Sequence, residues 1–184
     1  MVKKVTKTKY SYLEPFLTTR EELHLLEISR RLKENHATIR KYLNEFENQG
    51  ILKKSQKGRL TLYSLNLDSE LLFEILVLAE KDRLLRLMET NFVLQELVFE
   101  LHKITSKTLL IFGSASEGFK NFNDIDILTL DKNLDLKKLK NKFSFDFHVN
   151  YVPSLKSMSG TMRNEILKKH LIVNNSEEVV KWLI

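Results

Sequence analysis

The chain has 184 residues, of which 42% are hydrophobic and 29% charged, with five glycines, two prolines and no cysteine. This length allows one ordinary domain or two small ones, and the composition excludes collagen-like and low-complexity chains. The lack of cysteine excludes a disulfide scaffold, a thiolate zinc site and a cysteine nucleophile. No apolar run approaches the roughly 20 residues of a membrane span, and none follows the basic start as in a signal peptide. We therefore expect a cytoplasmic protein without membrane contact.

The formal net charge of +6 is concentrated in the N-terminal third. Residues 1–68 contain 14 Lys and Arg against 8 Asp and Glu, whereas residues 69–184 contain 16 of each. Such asymmetry is typical of a chain in which one module binds a polyanion and the other has a different role. The alternative is a basic tail, assigned to residues 1–10, together with a solvated surface.

Two amphipathic helices are predicted over residues 24–34 and 36–49, because apolar residues at spacings of three and four give each a buried face. The apolar residues of these faces are Leu25, Ile28, Leu32, Ile39, Leu43 and Phe46. Asn35 is expected to cap the second helix and Gly50 to end it. The very short connection between the helices indicates a helix-turn-helix.

A β-hairpin is predicted directly after these helices. Residues 51–54 form the first strand of this prediction, residues 55–58 a turn at Gly58, and residues 59–65 an alternating second strand. With the hairpin as a wing, residues 11–68 resemble a winged helix-turn-helix of the archaeal and bacterial transcription-regulator type. The stretches that carry the resemblance are residues 25–32, 37–43, 47–54 and 62–66.

The resemblance implies binding of double-stranded DNA, with the N-terminal part of the second helix in the major groove. The candidate base or phosphate contacts on that helix are Thr38, Arg40, Lys41 and Asn44. The candidate phosphate contacts on the hairpin are Lys53, Lys54, Lys57 and Arg59. The alternative is a winged helix that only mediates dimer or domain contacts, with its charges solvated.

Residues 69–91 are assigned to a helical connector. Its apolar residues are too many for one narrow stripe, so we expect burial on more than one side, between modules or in a homodimer. These residues are Leu71, Leu72, Ile75, Leu76, Leu78 and Ala79. A further helix is expected to pack on the next module through Phe92, Val93, Leu97, Val98 and Leu101.

Two acidic residues stand at the start of a predicted strand in the C-terminal half. Residues 108–112 indicate a buried strand that ends in Gly113 and Ser114, and residues 115–118 are expected to begin a helix. In the strand predicted over residues 123–130, Asp124 and Asp126 lie on one face. Two adjacent carboxylates repel each other, and a divalent cation such as Mg²⁺ would reverse the sign of that energy.

Gly113-Ser114, Gly118 and Asp124-Ile125-Asp126 are similar to the signature of the DNA polymerase beta-like nucleotidyltransferases, of the minimal type, over residues 92–184. The resemblance implies a small mixed sheet flanked by helices, so that the whole chain is α+β. It implies that Gly113 and Ser114 hold a nucleoside triphosphate (NTP) and that Asp124 and Asp126 hold two Mg²⁺ or Mn²⁺ ions. It also implies a third acid on a neighbouring strand.

The alternation of residues 143–151 makes Asp146 the candidate for that third carboxylate, which the resemblance implies is also a metal ligand. The alternative is a solvated acid at the edge of the sheet. Phe143, Phe145, Phe147, Val149 and Tyr151 are expected to face the core. His148 shares the face of Asp146 and is interpreted as a surface histidine or as a contact to phosphate or acceptor.

The sequence leaves several functions open. The first is a metal-dependent nucleotidyltransferase, with Asp124, Asp126 and Asp146 catalytic, that transfers a nucleoside monophosphate (NMP) to a hydroxyl of protein, RNA or a small molecule. The acceptor could be a toxin-like partner protein. The second is a DNA-binding regulator or antitoxin-like protein whose transferase-like domain senses nucleotide or binds a partner. It is favoured by Glu117, which stands where many members of the family carry a basic residue; Lys120 could compensate. In the third, Asp124 and Asp126 only cap a strand.

Overall fold

The computed structural model describes residues 7–120 and 122–184. Its N-terminal part contains a three-stranded antiparallel sheet and two helices joined by a short connection. Residues 1–6 of the predicted basic tail lie outside the described residues. The chain divides into two units between Asp82 and Arg83. The elements of the first unit, after a short helix α1 (Glu14–Leu17), are β1 (Leu23–His24), α2 (Leu25–Leu32), α3 (His36–Asn48), β2 (Leu52–Lys57) and β3 (Leu60–Leu65).

Side-chain caps set where the helices of the first unit begin. The predicted cap of α3 is confirmed, because Asn35 Oδ1 accepts a hydrogen bond of 2.9 Å from the Thr38 N–H. Helix α2 starts one residue later than predicted, since His24 lies in β1 and its Nδ1 accepts from the Glu27 N–H at 3.3 Å. Of the predicted apolar faces, Ile28, Leu32, Ile39, Leu43 and Phe46 are buried in the core of this unit. Leu25 is only half-buried and lines a surface cleft.

The predicted hairpin forms, but the predicted turn at residues 55–58 is wrong. Strand β2 continues through these positions, with Ser55 paired to Leu62 and Lys57 to Leu60. Gly58 has a φ of +62° and is the first residue of a two-residue loop. A loop this short allows β2 and β3 to pair along their whole length. The short strand β1, which the sequence analysis missed, adds to β3 on its other edge.

Helix α4 (Leu72–Thr90) contains the division between the two units. Leu72 and Leu76 are buried, whereas Leu71 and Leu78 are 58% and 44% exposed. Burial of this segment on more than one side, between modules or in a homodimer, stays a prediction.

The second unit contains a mixed four-stranded sheet with the strand order β6-β5-β4-β7, in which β5 and β6 are parallel and the other neighbours antiparallel. Its elements after α4 are α5 (Phe92–Ile104), β4 (Leu109–Phe112), β5 (Asp124–Thr129), α6 (Lys137–Lys142), β6 (Asp146–Tyr151), α7 (Gly160–Lys168), β7 (His170–Asn174) and α8 (Ser176–Leu183). The core joins the buried face of α5, including Leu97 and Leu101, to Ile111, Ile125 and Ile127 of the sheet.

Several sequence expectations for this unit are wrong at the edges of the core. Phe92 and Val93 stand at the start of α5 and are 80% and 46% exposed. Val149 and Tyr151 are also exposed, because β6 is an edge strand and the core covers only its first half, at Phe147. Helix α6 begins at Lys137, whose N–H donates a hydrogen bond of 2.9 Å to Asp135 Oδ1.

The helix expected after Gly113 does not form. Gly113–Ser116 is a single 3-10 turn, in which the Ser116 hydroxyl donates to the Gly113 carbonyl at 2.8 Å. Gly118 and Phe119 have φ values of +80° and +54°, and two successive residues in the left-handed region end any right-handed helix. The loop to β5 therefore starts from a tight turn.

Candidate metal centre and nucleic-acid interface

The two predicted acidic residues lie where β5 begins, beside the parallel strand β6. Asp124 and Asp126 are on the same face of β5, opposite to the face of the buried residues Ile125 and Ile127. In the parallel register Asp124 is the Cα partner of Asp146, and Asp126 is the Cα partner of His148. The strand pairing therefore places an imidazole beside the second aspartate.

Asp124, Asp126 and His148 form a group whose potential ligand atoms all lie within 4.8 Å of one another. The His148 Nδ1 is 3.2 Å from Asp124 Oδ2 and 3.5 Å from Asp126 Oδ1. The side chains of Asp124, Asp126 and His148 are 39%, 31% and 60% exposed, so solvent reaches all three. We call this group the Asp-Asp-His cluster; its two carboxylates and one imidazole could bind a metal ion.

Asp146 lies two residues before His148 in β6, where it is the Cα partner of Asp124, and it is exposed. The structure does not include it in the Asp-Asp-His cluster, and its role as the third carboxylate stays a prediction. Sequence analysis placed His148 on the face of Asp146 but did not name it as a ligand. The alternation of residues 146–150 carried the signal, since it puts every second side chain of β6 on the carboxylate face.

Gly113 lies directly against the cluster, because the preceding residue Phe112 is paired with Asp126 across β4 and β5. Gly113 has a φ of +70°, and a Cβ added to it would lie 2.9 Å from Asp126 Oδ2. A side chain at this position would thus meet the carboxylate. Ser114, the second residue of the predicted Gly-Ser turn, follows with an exposed side chain.

Glu117 is paired with a lysine at the same end of the sheet. The Lys169 Nζ is 2.9 Å from Glu117 Oε2, and the Lys169 carbonyl accepts a hydrogen bond from the Gly113 N–H at 3.3 Å. Lys169 therefore neutralises the negative charge of Glu117, which would be unfavourable beside a triphosphate. The sequence had suggested Lys120 for this role. Lys169 was missed because it follows α7, far from the turn in sequence.

A cleft of about 360 Å³ lies between α3 and the hairpin of the first unit. It contains four of the predicted nucleic-acid residues, namely Arg40, Asn44, Lys54 and Arg59. His24, His36, Thr61 and Tyr63 complete the polar part of its lining, which includes no carboxylate. The cleft is therefore a cationic surface on which phosphate groups would be attracted.

The predicted cationic residues of the hairpin differ in their ion-pair partners. Lys53 is 2.5 Å from Asp68, and its hydrogen bond lowers the pKa of the Asp68 carboxyl. Lys54 is 3.5 Å from Glu47, whereas Lys57 and Arg59 are exposed near the loop of the hairpin. Within residues 7–120 and 122–184, no carboxylate forms an ion pair with Lys57 or Arg59. These two side chains are therefore available for phosphate contacts without loss of an internal ion pair.

The remaining predicted contacts lie on α3. Arg40 and Lys41 are exposed and Thr38 is half-buried, and the Lys41 Nζ is 5.5 Å from the ring centre of Tyr42. Asn44 is half-buried, and its Oδ1 is buried without a hydrogen-bond partner. Arg40 and Asn44 are four residues apart and both line the cleft, so one side of α3 faces it.

Among the described residues, we find no helix with both the length and the apolar character needed to span a membrane.

Comparison of the chain with models of protein families, with curated proteins and with solved structures gives no match. Function is therefore argued from the geometry of the two candidate sites.

Proposed function

We propose that the chain is a metal-dependent nucleotidyltransferase joined to a DNA-binding winged helix. The observation that carries the proposal is the Asp-Asp-His cluster at the start of β5, beside the Gly113 turn. Two acids on one strand face and a glycine turn at the end of the preceding strand support a site for the phosphates of an NTP. Purely structural capping would not require Gly113 to leave room for the Asp126 carboxylate.

Asp124 and Asp126 would hold a divalent cation, which neutralises developing negative charge on phosphate oxygens and lowers the pKa of a bound hydroxyl. Gly113 and Ser114 line the approach of the outer phosphates, and the Ser114 hydroxyl can donate a hydrogen bond to one of them. Lys169 lies at the same turn and neutralises the charge of Glu117. Gly113, Ser114 and Lys169 therefore form the side of the site that would bind phosphate.

In the proposed reaction an acceptor hydroxyl oxygen bonds to the α-phosphorus of the NTP. The bond between the α-phosphorus and the bridging oxygen breaks, and pyrophosphate leaves with that oxygen. The acceptor proton passes to a carboxylate, for which the exposed Asp146 on the neighbouring strand is the candidate. The result is an acceptor that carries NMP.

The N-terminal unit is proposed to bind double-stranded DNA through α3 and the hairpin. The arrangement of two short-linked helices and a hairpin supports a winged helix, in which α3 would enter the major groove. Arg40 and Asn44 line the cleft from α3, and Arg59 lines it from the hairpin. Phosphate contacts by Arg40 and Arg59 would release counterions and make binding depend on salt.

A second function is favoured by two observations at the cluster. The residue of β6 that joins Asp124 and Asp126 in the cluster is His148, whereas the resemblance implies a third acid, and Glu117 is the acidic side chain at the turn. The alternative is a DNA-binding regulator or antitoxin-like protein whose transferase-like unit senses nucleotide or binds a partner protein without catalysis. Fold resemblance alone does not establish activity.

The transferase is tested with α-labelled NTPs and candidate acceptors of three classes: protein, RNA and small molecules. Asp126→Asn should lower label transfer by at least about 100-fold, since it removes charge stabilisation in the transition state. Glu178→Gln in the same unit serves as the control. It removes a carboxylate that accepts a hydrogen bond from the Thr108 hydroxyl, and it leaves the cluster intact. Equal transfer by wild type and Asp126→Asn would contradict the proposal.

DNA binding is tested with a labelled duplex over a series of salt concentrations. Arg59→Ala should weaken binding and reduce the slope of log K against log salt by about 0.9, the contribution of one phosphate contact. Lys53→Ala is the matched control on the same hairpin and should have a smaller effect, because Asp68 already holds Lys53. If Arg40→Ala and Arg59→Ala both leave affinity and slope unchanged, the assignment to DNA fails.

A further inference from the structure

The third ligand of the candidate metal centre is a nitrogen. The metal set implied by the sequence resemblance consists of three carboxylates, which offers oxygen alone. The structure brings together two carboxylates and the Nδ1 of His148. Mg²⁺ prefers oxygen ligands, whereas imidazole suits Zn²⁺, Fe²⁺, Ni²⁺ and Cu²⁺, and Mn²⁺ accepts carboxylates and imidazole together. The donor set therefore bears on which cation binds.

The spacing of the donors fits direct coordination. Two ligands bound to one ion at about 2.1 Å with tetrahedral or octahedral angles lie roughly 3.0–3.4 Å apart. The distances from His148 Nδ1 to Asp124 Oδ2 and Asp126 Oδ1 are 3.2 Å and 3.5 Å. Small rotations of these three solvent-accessible side chains would place an ion between them.

The sheet fixes this arrangement. Strands β5 and β6 are paired in one continuous parallel register from Asp124 and Asp146 to Thr129 and Tyr151. The position of His148 beside Asp126 is thus a property of regular strand pairing. The position of Gly113, where a Cβ would come within 2.9 Å of Asp126 Oδ2, shows independently that backbone and carboxylate are closely apposed.

The competing explanation is an ion pair, in which His148 only balances the two carboxylates. Its side chain is 60% exposed, and pairs this exposed contribute little to stability. Stability alone therefore gives a weak reason for an imidazole at this position, whereas a ligand role needs the access to solvent and substrate that the cluster has.

We infer that the Asp-Asp-His cluster binds a transition-metal dication, of the Mn²⁺ to Zn²⁺ class, in preference to Mg²⁺, with His148 as the ligand that sets this preference. The inference rests on the proposed metal site and deepens it, since it names the class of cation. The nucleotide phosphates and water would complete the coordination, as three protein ligands leave positions open.

The experiment is calorimetric titration of the full chain, freed of metal with a chelator, with MnCl₂, ZnCl₂ and MgCl₂ separately and without nucleotide. Wild type should bind Mn²⁺ and Zn²⁺ at least about tenfold more tightly than Mg²⁺. His148→Asp supplies a third carboxylate in place of the imidazole. It should lower the preference for Zn²⁺ over Mg²⁺ by at least about tenfold, as expected when a ligand group is lost.

Two further variants keep the test decisive. His148→Asn removes the ligand while preserving a polar side chain of similar size, and it should weaken Mn²⁺ and Zn²⁺ binding at least about tenfold. His102→Asn removes an imidazole elsewhere in the same unit and should leave the affinities unchanged, which controls for zinc bound to other histidines. Far-UV circular dichroism confirms that each variant is folded.

The outcomes separate the inference from the proposed function. If wild type binds Mg²⁺ as tightly as Mn²⁺ and Zn²⁺, or if His148→Asp leaves the preference unchanged, the inference is wrong and the transferase proposal stands. If wild type binds none of the three cations more tightly than an Asp124→Asn/Asp126→Asn double variant, both fail. The cluster is then an ion pair only.

Discussion

At the scale of single residues, the backbone at Gly113 lies close to the Asp126 carboxylate. Its φ is +70°, and a Cβ would lie 2.9 Å from Asp126 Oδ2. Gly113→Ala should therefore cost about 1–2 kcal/mol for the left-handed conformation and should also displace the carboxylate. Gly118→Ala is the matched control, because Gly118 has a φ of +80° but no atom within 4 Å of its added Cβ.

Both glycine variants should lower stability in urea unfolding, and Gly113→Ala should in addition weaken metal binding. Equal metal affinity in the two variants would show that Gly113 is needed for its conformation alone.

Asp146 and His148 show which features of the site a residue pattern predicts and which it does not. Period-two alternation correctly put Asp124 and Asp126 on one strand face, and it put Asp146 and His148 on a common face as well. Which of these two stands beside Asp126 depends on the register between β5 and β6. Register is a long-range property that local pattern does not encode, so His148 was not recognised as a member of the cluster.

At the scale of secondary-structure elements, Asn91 links helix α5 to the loop that follows the Gly113 turn. Its Oδ1 accepts from the Leu94 N–H at 3.0 Å, and its Nδ2 donates to the Phe119 carbonyl at 3.0 Å. Asn91→Ala should cost about 2 kcal/mol, roughly half from the lost cap and half from the lost hydrogen bond to Phe119.

Asn91→Ser retains a capping oxygen and loses only the donation to Phe119, so it should cost about 1 kcal/mol. Urea unfolding of both variants measures the difference. A serine variant as unstable as the alanine variant would mean that the cap contributes nothing.

Elements with their own local signals were predicted well. The faces and the cap of α3 follow from apolar spacing and from Asn35, and β5 follows from a buried run that begins with two acids. The failures occur where backbone conformation decides. The left-handed residues Gly118 and Phe119 prevent a helix after Gly113, and the two-residue loop at Gly58 lengthens β2 beyond its predicted end.

At the scale of the whole molecule, charge and chemistry are divided between the two units. The positive excess belongs to residues 1–68, and the Asp-Asp-His cluster belongs to residues 83–184. If the transferase proposal holds, Asp126→Asn abolishes transfer and leaves DNA affinity unchanged. The regulator alternative predicts instead that nucleotide with metal changes DNA affinity, and that Asp126→Asn removes this change. Duplex binding measured with and without nucleotide distinguishes the two.

The start of β5 is proposed as a site for metal and triphosphate, and calorimetry measures that binding. A non-hydrolysable NTP is titrated into wild type and into Asp124→Asn/Asp126→Asn, each in the presence of Mn²⁺ and, separately, of Mg²⁺. The account predicts binding of micromolar strength in wild type that is lost in the double variant. Equal binding by both proteins, or no binding by wild type with either metal, would contradict it.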